Sequence, residues 1–187
     1  NVLLMENQKK YNIIYADPPW RYEQNKVSGA AENHYPTMSM EELYALPVKE
    51  IADQNAMLFL WATFPMLNKA ISLMEPWGFQ YTTVAFVWIK LNKKKPTPCT
   101  GLGFWTRSNA EICILGKKAT LKRQSTKVHQ LIFSPRQEHS QKPAIVRDKI
   151  IELLGDLPRI ELFARETASG WDTWGNEVPC SISLLPE

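Results

Sequence analysis

The run Tyr11-Asn12-Ile13-Ile14-Tyr15-Ala16, followed at once by Asp17-Pro18-Pro19-Trp20, is the feature that most narrows the folds open to this chain. The run is short, β-branched and aromatic. A Pro-Pro pair cannot continue a central strand, so the segment predicts a buried strand with an acid and an aromatic at its carboxyl end. In open α/β sheets, ligands gather at that edge.

The rest of the chain alternates strand and helix. Ala56 to Ala62, Phe79 to Ile89, Ala110 to Leu115 (closed by Gly116) and Arg159 to Ala164 read as further strands. Ser39 and Glu42 form an S-x-x-E capping box ahead of a short helix stopped by Pro47. Pro65 opens a helix bearing Leu67, Ala70, Ile71 and Met74, and Pro143 opens another whose Val146, Ile150, Leu153 and Leu154 share a face, with Gly155 as its C-cap. Strands with near-continuous apolar runs, separated by helices, predict an α/β fold: a mainly parallel sheet with helices on both faces. At 187 residues, 44% of them hydrophobic, the chain is long enough for one well-buried core, so a single domain over 1–187 is expected. Asn1 to Leu4, ahead of Met5, are a candidate expression remnant and stay outside the fold reading.

The motif after the first strand suits one kind of chemistry. An exocyclic amine on a purine is a poor nucleophile because its lone pair is delocalised into the ring, and oxygens that accept both amino hydrogens localise that pair. Asp17 offers a carboxylate and Pro18 a carbonyl. Neither Pro18 nor Pro19 carries an N–H, so the turn is expected to present acceptors without competing donors, in a stiff geometry. Trp20 supplies a face for a base swung out of its stack, or else fills the core; both readings are open.

Composition adds a charge pattern. The net charge is only +3, yet between Lys90 and Lys127 there are ten basic residues and one acid, Glu111. Lys93, Lys94, Lys95, Arg107, Lys122 and Arg123 are the candidates for contact with phosphate, with Phe104 and Trp105 among them positioned to stack on bases or to pack inside. Cys99, Cys113 and Cys180 lack metal-ligand or disulfide-framework spacing, and the three histidines lack helical pairing, so no metal is expected. No apolar run approaches the ~20 residues of a membrane span and no signal-peptide pattern opens the chain, which predicts a cytoplasmic protein with no membrane partner.

Six motifs occur in order: Asp17 to Trp20, His34-Tyr35-Pro36-Thr37-Met38-Ser39, Gly103-Phe104-Trp105-Thr106-Arg107, Glu138-His139-Ser140-Gln141-Lys142-Pro143, Glu161-Leu162-Phe163-Ala164-Arg165 and Gly170-Trp171-Asp172-Thr173-Trp174-Gly175-Asn176-Glu177. Together, over about residues 11 to 178, they resemble the MT-A70 family of adenine methyltransferases, which includes the catalytic subunit of the eukaryotic mRNA adenosine methyltransferase and short bacterial and phage enzymes. The resemblance implies a Rossmann-like sheet that binds S-adenosyl-L-methionine, with the catalytic motif preceding the cofactor strand. It also implies roles. Asp17 binds the methionine amino group or the target amine, Pro18 receives the amine through its carbonyl, Trp20 packs against the base, and Tyr35 belongs to a loop closing over the target. Lys142 lies near the cofactor carboxylate, while Phe163, Arg165 and Asn176 line the ribose and adenosine end. The chain departs from many relatives at Ala144-Ile145, where they carry an acidic pair, and from the eukaryotic enzyme at Glu166-Thr167. The expected activity is methylation of the N(6) amine of adenine in DNA. RNA adenosine as substrate, a catalytically silent nucleic-acid-binding subunit and methylation of a protein amide stand as alternatives, and a homodimer and a heterodimer with a related subunit are both open.

Overall fold

A computed structural model describes residues 9–22, 36–137 and 141–184. Its strands are β1 (Tyr11–Ala16), β2 (Ala52–Ala62), β3 (Gln80–Leu91), β4 (Glu111–Lys118), β5 (Leu131–Pro135), β6 (Arg159–Leu162) and β7 (Asp172–Trp174). They form one sheet in the order β5-β3-β4-β2-β1-β6-β7. β1 pairs parallel with β2 and β6, β6 with β7, and β3 with β5, whereas β4 runs antiparallel to both its neighbours. The sheet is therefore mainly parallel, as expected, with one reversed strand near its centre.

Alternate side chains along each strand sort into two cores, as the period of two requires. Ile14 and Ala16 of β1, Leu58 and Leu60 of β2, and Ile112 and Ile114 of β4 face helices α1 (Met40–Ala45), α2 (Val48–Ile51) and α3 (Leu67–Met74) through Leu43, Val48, Ile51, Ala70 and Leu73. Ile13, Tyr15, Phe59, Trp61 and Cys113 point the other way, against Val146, Ile150 and Leu154 of α4 (Ile145–Leu154). Helices thus cover both faces. The capping box is formed: the Ser39 hydroxyl accepts from the Glu42 N–H at 3.2 Å and the Glu42 carboxylate accepts from the Ser39 N–H at 2.6 Å. Gly155 caps α4 with φ +93°, a conformation open to glycine.

Two strand ends differ most from expectation, the others falling within two residues of it. β4 continues through Gly116 to Lys118 because it is laddered on both sides, and the glycine is where α3 and the chain beyond it press on the sheet. A Cβ there would lie 3.0 Å from Met74 Sδ and 3.1 Å from Phe79 Cβ. β2 begins at Ala52, four residues before the apolar run, with Gln54 and Asn55 exposed.

Candidate active site

The parallel strands carry their carboxyl ends to one edge, and β4, being reversed, brings its amino end there too. Ala16 pairs with Leu162, so Asp17 and Phe163 leave adjacent strands at the same level. Ala62 pairs with Ile112 and Trp88 with Glu111, which sets Glu111 and Lys90 on that edge. Lys142, just ahead of α4, completes a line of alternating charge. Lys90 Nζ lies 2.7 Å from Glu111 Oε1, Glu111 Oε2 lies 3.0 Å from Lys142 Nζ, and Lys142 Nζ lies 3.0 Å from Asp17 Oδ2.

These groups are largely withdrawn from water, with side-chain exposures of 11% for Lys142 and Glu111 and 26% for Asp17. Burial pushes the Glu111 carboxyl up, but Lys142 and Lys90 together outweigh it and hold the group below its ordinary value of 4.5. Burial likewise pulls the Lys142 ammonium down, and Asp17 and Glu111 reverse that, so it keeps its proton beyond the usual lysine range. Lys142 also stands 5.7 Å from the centre of the Trp61 ring. Glu111 stands out in the sequence only as the lone acid of a basic stretch, near the start of an expected strand; its meeting with Lys142 is what that pattern conceals.

An open, shallow cleft extends from Asp17 and Lys142 between α4 and the end of β6. Phe163 lines it with a positive φ of 59°, rare for a residue with a Cβ, and its ring packs on Trp174 at 5.3 Å and Trp77 at 6.5 Å. Phe163 thus packs against the core and lines the cleft at once. Arg165 and Glu166 lie on the rim. Behind them the Arg147 guanidinium holds Glu161 through two bonds of 2.6 and 3.2 Å and Glu166 through one of 3.1 Å. Asn176 is in the turn beyond β7, outside the cleft lining. That turn is pressed to the sheet at Gly175, where a Cβ would meet the Ala164 carbonyl oxygen at 2.4 Å.

The structure corrects one expectation for the catalytic motif and decides between the two readings of Trp20. The Pro18 carbonyl is not free of donors: the Trp20 N–H bonds it at 2.9 Å, and the Met38 N–H bonds the Pro19 carbonyl at 2.9 Å. Each oxygen keeps one lone pair. Trp20 is only 7% exposed and belongs to the core beneath α1 and α3, its indole N–H donating to the Trp61 carbonyl at 3.2 Å. An indole has too much apolar surface to leave in water, and here it anchors the turn instead of offering an open face. The exposed ring nearby is Tyr22, 48% exposed, whose hydroxyl bonds Thr63 Oγ1 at 2.8 Å. Burial raises its pKa, and the Glu111, Lys142 and Asp17 charges all act on it. Tyr35 lies outside the described residues.

The basic stretch divides. Lys93, Lys94, Lys95 and Arg107 are exposed on the connection from β3 to β4, at the Asp17 edge. Lys117 and Lys118 pair with Met57 and Ala56, five and six strand positions or about 17–20 Å from the Ala62 end, and Lys122 and Arg123 follow on that far side. The Gln124 N–H bonds Leu153 O at the C-terminal end of α4. The reversal of β4 is the reason: the chain enters it at the site and leaves at the opposite edge. Among the described residues no three His, Cys, Asp or Glu side chains cluster as metal ligands, and no helix is long and apolar enough to cross a membrane.

Comparison with known proteins decides the family, for the MT-A70 family model matches residues 11–177. The chain belongs to the MT-A70 family. It is 38% identical to the Type II methyltransferase M.MunI of Mycoplasma sp, over 96% of this chain and 82% of that protein. It is 28% identical to the putative N(6)-adenosine-methyltransferase MT-A70-like of Medicago truncatula and 28% identical to the human N(6)-adenine-specific methyltransferase METTL4. Those alignments cover 95% and 94% of this chain but only 28% and 39% of the relatives. In the MT-A70 frame the Asp17 turn and the β6 end, far apart in sequence, are the two walls of one cleft.

Proposed function

We propose that this MT-A70 protein transfers the methyl group of S-adenosyl-L-methionine to the exocyclic N(6) amine of adenine in DNA. The single observation that carries the reading is the Asp17–Lys142 pair at the mouth of the cleft. An amino-acid zwitterion needs one acid and one base, and here the two neutralise each other at 3.0 Å, poised to exchange partners for the ammonium and carboxylate of a methionine tail. Phe163, Arg165 and Glu166 then face the nucleoside end, where Glu166, oriented by Arg147, suits ribose hydroxyls. When bound, the cofactor supplies an electrophilic methyl whose S–C bond breaks as the N–C bond forms, the sulfur keeping the electron pair.

The protein's part is positioning and charge stabilisation. Asp17 and the remaining lone pair of the Pro18 carbonyl accept the two amino hydrogens, and Asp17 offsets the positive charge that grows on nitrogen. A neutral aromatic amine is far too weak an acid for a carboxylate to deprotonate it beforehand, so the proton leaves after transfer, to solvent, once the nitrogen carries positive charge. Glu111 orients Lys142 so that its charge stays at the cleft mouth. Tyr22 takes over the stacking role expected of Trp20.

DNA is favoured over RNA because the relative whose length this chain matches is named a Type II methyltransferase, whereas the Medicago relative, named for adenosine, is matched over only 28% of its length. Phosphate contact falls to Lys93, Lys94, Lys95 and Arg107. Replacing the three lysines with alanine lowers the slope of log affinity against log salt by about 0.9 for each phosphate no longer neutralised. The Lys122→Ala/Arg123→Ala variant leaves that slope unchanged, because those residues sit at the far edge of the sheet. An equal fall in slope for the two variants would show that the duplex lies along a different face.

A further inference from the structure

The connection from β3 to β4 carries a second feature at the site edge. Its root is pinned: the Asn109 side chain accepts the Lys90 N–H at 3.0 Å and donates to the carbonyls of Lys90 and Cys99, and the Asn92 N–H bonds Thr97 O at 2.9 Å. Farther out, the Gly101 N–H bonds Ser108 O at 2.7 Å and closes a tight loop. Gly103 turns that loop with φ +69°, and any Cβ there would fall 1.9 Å from Thr106 O. The loop is thus a built finger. Yet its tip holds Leu102, Phe104 and Trp105 at 88%, 87% and 99% exposure. Among the described residues nothing covers them, and a rigid turn that keeps three large apolar side chains in water serves something outside the fold.

The charges around the tip select the occupant. Residues 92–110 contain Lys93, Lys94, Lys95 and Arg107 and no acid, and Arg107 reaches back along the stem to Thr100 Oγ1 at 3.4 Å. A two-fold contact with a second copy would set one cationic finger against the other. A protein partner would have to supply several acids around a small apolar spot. A base stack between two phosphate chains offers both flat π-faces and the matching charge. The root carries the position: Lys90 holds Glu111, Glu111 holds Lys142 and Lys142 holds Asp17, so the finger rises beside the acceptor that would receive a flipped adenine.

We infer that Trp105, backed by Phe104, is a wedge that enters the duplex stack and fills the gap left when the target adenine swings out to Asp17. The inference rests on the proposed nucleic-acid reading and extends it to the means of base extrusion. Wedges of this kind meet the cost of unstacking by putting an apolar surface where the base was.

A duplex with the gap already made tests this without knowledge of the recognition sequence. Affinities of the full chain are measured for an intact DNA duplex and for the same duplex with one abasic position, alongside calorimetric binding of S-adenosylhomocysteine. The wild type prefers the abasic duplex by about tenfold, the scale of one aromatic stack. Trp105→Ala and Phe104→Ala/Trp105→Ala lose that preference while keeping the salt slope and the S-adenosylhomocysteine affinity. Equal binding of both duplexes by wild type and variants overturns the wedge. So does a Trp105 effect that appears only on self-association in sedimentation or on binding to anionic phospholipid vesicles. Failure of the wild type to bind S-adenosylhomocysteine counts against the methyltransferase reading instead, and the abasic preference is scored independently of it.

Discussion

Asp17→Ala lowers methyl transfer by on the order of 10³-fold or more while leaving the fold in place, because the substitution removes a preorganised charge from the reacting amine and from the methionine tail at once. The structural cost is small. Asp17 is partly exposed, and its partner Lys142 keeps Glu111 at 3.0 Å, so the expected loss of stability is about 1–2 kcal/mol. Asp17→Asn is the sharper comparison: it keeps the size of the side chain and one acceptor oxygen, but it brings amide N–H donors toward an amine that must itself donate. It is expected to be nearly as inactive as the alanine variant. Turnover and thermal unfolding measured on both variants check this, and an Asp17→Asn enzyme of near wild-type rate would remove the charge from the account.

Glu111→Ala is expected to damage stability and activity together. The carboxylate sits between two ammonium groups and is itself almost wholly buried, and breaking such a pair costs about 3–5 kcal/mol because the partners stay buried without compensation. For a chain of this size the melting temperature then falls by roughly 6–20 °C. Replacing both ends of the outer pair, as Lys90→Met/Glu111→Leu, recovers much of that stability by removing the unpaired charge, yet leaves Lys142 without its orienting partner and so does not recover turnover. Recovery of both would mean that Glu111 serves the fold alone. Its protonation gives a pH signature as well. The folded carboxyl is held below 4.5, so its stabilising contribution is present above that value and is lost as the pH falls through the lower, folded one. Acid unfolding of the wild type therefore has a component below about pH 4.5 that Glu111→Gln lacks.

How much of this is legible in the sequence depends on whether a feature is local. β1 is read to its exact bounds because an apolar run and a Pro-Pro stop lie side by side, and the α1 capping box is a four-residue signal. β5, Leu131–Pro135, and β7, Asp172–Trp174, go unread: each is a short strand at a sheet edge, and the apolar stretch of β5 is only the three residues Leu131-Ile132-Phe133, of which Ile132 alone is fully buried. Strand direction is a long-range property. Nothing local in Glu111–Lys118 says that β4 runs backwards, and from that follow both the arrival of Glu111 at the site and the removal of Lys122 and Arg123 from it. The resemblance points to Asp17 and Lys142 as groups at the methionine end of one site, but it does not decide whether Trp20 faces a base or the core, since burial of one indole is settled by the packing of α1 and α3 around it.

The most direct test of the central claim uses unmethylated genomic DNA, which removes the need to know a recognition sequence, with S-adenosylmethionine carrying a deuterated methyl group and mass spectrometry of the released nucleosides. The account predicts the label on the exocyclic nitrogen of deoxyadenosine with the wild type and none with Asp17→Ala. A wild-type protein that binds the cofactor yet leaves deoxyadenosine unlabelled, or places the label on cytosine or on protein side chains, would contradict it.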